Sequence, residues 1–131
     1  MQDLKFSRQR QSIKDYLAST KSHPTADAVY HNVRKKYPKI SLGTVYRNLT
    51  LLSDLGEALK ISTPDGVNRF DGNSHPHNHF YCEKCNCVFD LELDMKYIHR
   101  INRFAAEKFD GAIEASTTMF YGKCSDCLQQ M

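Results

Sequence analysis

Apolar residues in the first part of the chain recur every three or four positions, which is the spacing of amphipathic helices. This spacing predicts three short helices in succession: one over 7–19, one from the N-cap Thr25 to Pro38, and one from the N-cap Ser41 to Gly56. The apolar stripe of the third helix consists of Val45, Leu49, Leu52 and Leu55. The first part of the chain is therefore predicted to be helical.

The pattern then changes to that of short strands. Two strand-like runs, 58–62 and 67–70, flank Pro64-Asp65-Gly66, whose turn residues favour a hairpin. Helices followed by a two-stranded hairpin are typical of a winged helix-turn-helix.

A polar segment over 72–78 is rich in turn-forming residues and predicts a hinge. The residues before it, 1–71, are predicted to be a winged-helix DNA-binding domain, and those after it, 79–131, a small α/β domain for dimerisation and metal binding. The elements predicted in the second domain are strands over 79–82, 88–93 and 113–121 and a helix over 95–109. The fold class is thus α+β, and a domain this small needs a metal ion and a partner subunit to complete it.

Charge is divided unevenly between the two parts. Residues 1–71 contain 12 Lys and Arg against 7 Asp and Glu, a net +5, whereas residues 72–131 contain 6 against 8, a net −2. A basic domain beside an acidic one suggests a polyanionic partner for the former. Residues 1–5 show no apolar leader, and no stretch approaches the roughly 18 apolar residues of a membrane span, so a cytoplasmic, reducing location away from membranes is expected.

The third predicted helix carries polar side chains where a recognition helix would meet DNA. These candidate DNA-binding residues are Ser41, Thr44, Tyr46, Arg47 and Asn48. Arginine can pair with guanine, asparagine with adenine, and hydroxyl groups with phosphates. A solvated helix face is the alternative, but the predicted wing and the basic residues of the same domain favour double-stranded DNA as the partner.

Four cysteines occur in two C-x-x-C pairs, Cys82 with Cys85 and Cys124 with Cys127. Each pair presents two thiolates from one turn, and four thiolates match a closed, tetrahedral structural zinc site. Two disulfides or two redox dithiols are the alternative. The fifth cysteine, Cys87, belongs to neither pair, and is either an idle thiol or one that reacts on oxidation.

A second group of candidate ligands is rich in histidine. His77 and His79 are two positions apart, so their imidazoles point to the same side of an extended strand. With His23, Asp71 and Asp90 they form a mixed nitrogen and oxygen set, which suits Fe²⁺ or Mn²⁺ better than zinc. Spacing alone does not connect His23 to the others.

Short motifs along nearly the whole chain resemble those of the Fur family of metal-dependent repressors, most closely its peroxide-sensing PerR branch. The matching motifs are His23-Pro24-Thr25-Ala26-Asp27, Thr44-Val45-Tyr46, Arg69-Phe70-Asp71, His77-x-His79-x-x-Cys82-x-x-Cys85, Asp90 and Cys124-x-x-Cys127. The resemblance implies a homodimeric repressor of operator DNA, not an enzyme. It also implies a structural Zn²⁺ on the four paired cysteines and a regulatory Fe²⁺ or Mn²⁺ on the five histidines and aspartates.

For the peroxide-sensing branch, the resemblance implies that iron-catalysed oxidation of His23 and His77 opens the regulatory site and releases DNA. Asp90 favours this branch, because uptake regulators of the family commonly have glutamate there. Arg47 instead resembles the iron-uptake branch, and Ala115-Ser116-Thr117 lacks the histidine of a further metal site found in iron sensors. An iron or manganese uptake regulator is therefore the alternative, and a metallohydrolase using the same histidines is a remote one.

Overall fold

A computed structural model describes residues 7–75 and 77–130. These residues divide into two compact units, with the boundary after His75, inside the predicted hinge. Hinge motion and the exact domain limits stay predictions, and Pro76 lies outside the described residues, as does the N-terminal segment examined for a leader. Within the described residues, no helix is both long and apolar enough to cross a membrane.

The first unit contains three helices followed by a two-stranded antiparallel sheet. The elements are α1 (Arg8–Ser19), α2 (Ala26–Val33), α3 (Leu42–Asp54), β1 (Leu59–Ser62) and β2 (Asn68–Asp71). Each helix begins where predicted, because the side-chain oxygens of Ser7, Thr25 and Ser41 accept hydrogen bonds from backbone N–H groups three residues on, at 3.0–3.2 Å. The predicted winged helix-turn-helix is confirmed.

The core of this unit lies between the three helices and the inner face of the hairpin. Its members are Ile13, Leu17, Ala26, Val29, Val33, Ile40, Val45, Leu49, Leu52, Ala58 and Phe70. The second helix is shorter than predicted and ends at Val33. A turn that includes Lys36 then leads to α3, and Ile40 packs into the core before the helix begins.

The second unit is a three-stranded sheet with two helices. The elements are β3 (Asn78–Cys82), β4 (Val88–Leu91), α4 (Met95–Lys108), β5 (Met119–Gly122) and α5 (Ser125–Gln129). The strand order is β4-β3-β5, with β3 antiparallel to β4 and parallel to β5. The predicted α+β class is confirmed, while the strand predicted over 113–121 is wrong for 113–118, which lies in no ladder among the described residues, and α5 was not predicted.

The second unit buries little apolar surface of its own. Helix α4 has no buried residue among those described. Tyr97, Ile101 and Phe104 lie on one face of it, at i, i+4 and i+7, and are more than half exposed. An exposed apolar face of this size in so small a unit indicates that another surface covers it.

Gly72 is packed directly against the backbone of α1. A Cβ atom at this position would lie 2.6 Å from the carbonyl carbon and oxygen of Leu17 and 2.7 Å from the nitrogen of Ala18. Because backbone cannot move aside as a side chain can, we expect Gly72→Ala to destabilise the first unit by about 1–3 kcal/mol. Thermal unfolding followed by circular dichroism would measure this loss.

Gly43→Ala is the matched control, because a Cβ there would meet the flexible Arg47 side chain no closer than 3.4 Å. Because Gly43 lies within a helix, this change should stabilise the first unit by roughly 0.5–1 kcal/mol. Equal melting temperatures for the Gly72→Ala and unsubstituted proteins would contradict the close contact with α1.

Candidate metal centres and nucleic-acid interface

The four paired cysteines converge in the second unit. Cys82 ends β3, Cys85 lies in the turn after it, Cys124 is the N-cap of α5, and Cys127 lies within α5. Their sulfur atoms all lie within 4.8 Å of one another. The Sγ atoms of Cys85 and Cys124 are 3.9 Å apart, close to the roughly 3.8 Å that a tetrahedral site with 2.3 Å Zn–S bonds requires.

The protonation of these thiols is set by their surroundings. Backbone N–H groups of Cys85 and Cys124 each donate to the Sγ of Cys82 at 3.4 Å and lower its pKa to about 6. Burial raises the pKa of the Cys127 thiol to about 12. A cation bound by the four sulfurs would deprotonate the buried thiol, since thiols coordinate as thiolates.

All five cysteines are free thiols, so the alternative of two disulfides is not realised. The donor set, with four sulfurs and no open position, fits a structural zinc ion. Cys87 is exposed and lies outside this set; its backbone carbonyl accepts a hydrogen bond from the N–H of Cys82 at 3.0 Å. A redox role for its thiol stays a prediction.

Two of the predicted regulatory ligands meet within the first unit. The Nε2 atom of His23, in the loop between α1 and α2, lies 3.1 Å from Oδ2 of Asp71, the last residue of β2. Both side chains are buried. The other carboxylate oxygen of Asp71 accepts a hydrogen bond from the N–H of Asn73 at 2.9 Å, which fixes the orientation of the carboxylate.

The other three predicted ligands meet within the second unit. Nε2 of His77 and Nε2 of His79 lie 3.0 Å and 3.4 Å from the same oxygen, Oδ1 of Asp90. The ladder between β3 and β4 places His79 opposite Asp90. The ring centroids of His77 and His79 are 4.3 Å apart, so the two imidazoles lie on the same side, as the sequence spacing predicts.

Each group combines imidazole nitrogen with carboxylate oxygen, the donor chemistry that suits Fe²⁺ or Mn²⁺. The folds of the two units thus bring together His23 with Asp71, and His77 and His79 with Asp90. That a single ion joins the two groups stays a prediction.

The predicted DNA-binding residues lie at the start of α3. The hydroxyl of Thr44 lies 2.8 Å from that of Ser41 and accepts a hydrogen bond from the Arg47 guanidinium at 3.0 Å. Tyr46 and Arg47 are exposed, whereas Asn48 is half-buried and donates to the carbonyl of Thr44 at 3.1 Å. Tyr46 and Arg47 are therefore more accessible for base contacts than Asn48, whose side-chain amide already donates a hydrogen bond within the helix.

A winged helix joined to a unit with a four-thiolate centre and clustered histidine and aspartate ligands defines a metal-dependent DNA-binding regulator. Residues 1–117 match the model of the ferric uptake regulator family, and the chain belongs to that family. Its members are transcription regulators and not enzymes, and so is this chain.

Among its relatives, the chain is 34% identical over 127 residues to the "Peroxide-responsive repressor PerR" of Staphylococcus epidermidis, with 97% of this chain and 83% of that protein covered. The protein of the same name from Staphylococcus aureus is 34% identical over 124 residues, covering 95% and 82%. These relatives confirm the predicted resemblance.

The fold is also similar to solved structures. The peroxide stress regulator of Campylobacter jejuni superposes with a TM-score of 0.77 at 28% identity, covering 91% of this chain and 88% of that one. The ferric uptake regulator Fur of Helicobacter pylori gives 0.80 at 22% identity, covering 95% and 83%. At 22% identity the second likeness establishes the fold alone.

Proposed function

We propose that the chain is a metal-dependent repressor of transcription that senses hydrogen peroxide through iron-catalysed oxidation of its histidine ligands. The observation that carries the proposal is the contact of His77 and His79 with one carboxylate oxygen of Asp90. The relatives named as peroxide-responsive repressors, which match over nearly the whole chain, support the same branch of the family.

Two kinds of metal ion complete the protein. Zn²⁺ bound by the four paired cysteines would stabilise the second unit. A regulatory Fe²⁺ or Mn²⁺ would be held by His23, Asp71, His77, His79 and Asp90. Because these five ligands come from both sides of the predicted hinge, binding one ion to all of them would favour one relative orientation of the domains.

The partner of the first unit is double-stranded operator DNA. Tyr46 and Arg47 are the exposed base-reading candidates on α3, and the net charge of +5 over residues 1–71 favours the phosphate backbone. The exposed apolar face of α4 suits a second copy of the chain, and a homodimer would present two recognition helices to successive turns of DNA. A cytoplasmic location fits such a partner.

The peroxide response is expected to act on the ligands themselves. Fe²⁺ held by these ligands would supply the redox chemistry. One oxygen atom of hydrogen peroxide would be added to an imidazole ring, which is oxidised by two electrons, and the other oxygen atom would leave as water. His23 and His77 are the proposed targets. An oxidised imidazole is a poorer ligand, so the chain would lose the ion that favours the DNA-binding orientation.

The test is peptide mass spectrometry on zinc-replete protein loaded with Fe²⁺ without oxygen and briefly exposed to stoichiometric peroxide. We expect one added oxygen atom on the peptides that contain His23 or His77, together with release of bound DNA. Protein loaded with Mn²⁺ is the control and should remain unmodified. Intact histidines, with DNA released only on metal depletion, would favour the alternative of a metal-uptake regulator.

A further inference from the structure

His23 has a backbone conformation that is uncommon for a residue with a side chain. Its φ angle is +51°, in the left-handed region, which costs an L-residue about 1–2 kcal/mol. Such conformations persist where the surrounding structure holds them, and they concentrate at functional sites. The neighbouring contacts should therefore include groups that hold His23 in this conformation.

Those contacts come from strand β2. The guanidinium of Arg69 donates to the backbone carbonyl of His23 at 3.1 Å, and the N–H of Phe70 donates to the carbonyl of Pro24 at 3.0 Å. Thr25 and Arg69 form an isolated antiparallel bridge. The segment from His23 to Thr25, which includes the residue with the positive φ, is thus attached along the edge of β2.

Arg69 and Asp71 contact the same residue, His23, from one strand. They are two positions apart on one strand, so their side chains lie on the same face. Arg69 holds the carbonyl of His23, while Asp71 contacts the imidazole of the same residue at 3.1 Å. One strand therefore holds His23 both at its backbone and at its ring.

We propose that Arg69 is a positioning residue of the regulatory metal site: by holding the His23 carbonyl, it keeps the backbone conformation that directs the imidazole to Asp71. This inference rests on the proposed function. A guanidinium is no metal ligand, but groups that orient ligands typically change metal affinity 10–100-fold when replaced. Arg69 is not among the predicted site residues. Its position two residues before Asp71 on a predicted strand could have indicated that its side chain lies on the same face as that ligand.

A role limited to the stability of the first unit is the competing explanation, and the two differ in what they predict. If Arg69 only stabilises the fold, its replacement lowers the melting temperature of the zinc-replete protein measured without a regulatory metal ion. The affinity of the folded protein for that ion is then unchanged. If Arg69 positions His23, the affinity falls even where the protein is fully folded.

The experiment titrates zinc-replete, full-length protein with Mn²⁺, by calorimetry and by electron paramagnetic resonance, alongside thermal unfolding of each variant. Arg69→Met should bind Mn²⁺ about 10–100-fold more weakly than the unsubstituted protein. Arg69→Lys, which restores one charged donor, should recover part of the affinity. Lys60→Met on the exposed side of β1 is the control for loss of a positive charge in the same hairpin and should bind as the unsubstituted protein does.

Affinity that is unchanged in Arg69→Met, or equally reduced in Lys60→Met, would overturn the inference. If Arg69→Met does not fold, Arg69→Lys decides: full affinity in that folded variant, with no partial loss, would also overturn it. Absence of Mn²⁺ binding by the unsubstituted protein would instead overturn the proposed function and this inference with it, so the two failures are distinguishable.

Discussion

Replacing Cys82 by serine is expected to remove zinc from the second unit and to unfold that unit. Cys82 is fully buried, and its sulfur accepts hydrogen bonds from the backbone N–H groups of Cys85 and Cys124. The apolar core around it is small, since Tyr81 and Val88 are the buried apolar residues besides cysteine among those described in this unit's strands. Binding of structural zinc contributes about 10–16 kcal/mol to the folding free energy of small zinc-binding peptides. A core of this size cannot compensate for the loss of so large a contribution.

Two measurements test this prediction: zinc content by atomic emission and the helical signal in circular dichroism, both of which should fall. Cys87→Ser is the matched control, because Cys87 is exposed and outside the sulfur cluster, and it should retain one zinc ion per chain. A Cys82→Ser protein with full zinc content and an unchanged spectrum would show that the four cysteines do not form the centre on which the second unit depends.

Elements that depend on local signals could be predicted from the sequence. Ser7, Thr25 and Ser41 are N-caps whose oxygens accept hydrogen bonds in the structure, and Pro64-Asp65-Gly66 forms the turn between β1 and β2. These signals act within a few residues, so no knowledge of the fold is needed. The two C-x-x-C pairs carry the same kind of local information, because each places two sulfurs on one turn.

Features that depend on distant partners could not be predicted. The segment 113–118 has the residues of a strand, but strand propensity describes how well side chains fit a paired surface. Among the described residues the segment joins no ladder, although the carbonyl of Thr118 accepts a hydrogen bond from the N–H of His79 at 3.4 Å. The contact of Arg69 with the His23 carbonyl joins residues 46 positions apart. The short helix α5 begins at the N-cap Cys124, contains Cys127 and has too few residues for a periodic pattern.

Replacing His77 by alanine is expected to abolish the metal dependence of DNA binding. Moving a domain orientation from rare to dominant requires the ion to favour it by about 10⁴-fold, or roughly 5.5 kcal/mol. His77 contacts Asp90 at 3.0 Å and lies beside His79, so its loss removes one of the two imidazoles in this group and leaves His79 and Asp90 as the remaining ligands. We expect at least about a 100-fold loss of Mn²⁺ affinity, since even groups that only orient ligands can cost that much.

The measurement is fluorescence anisotropy with a DNA duplex selected from a random pool by the Mn²⁺-loaded, unsubstituted protein, with and without Mn²⁺. His99→Ala is the control, because His99 is exposed on α4, on the side opposite Tyr97 and Ile101; it should keep the full metal dependence. Zinc content and dimer mass should be the same in all three proteins, because His77 is not part of the sulfur cluster. Metal-dependent DNA binding that survives in His77→Ala would mean that the ion which controls DNA binding does not use the group formed by His77, His79 and Asp90.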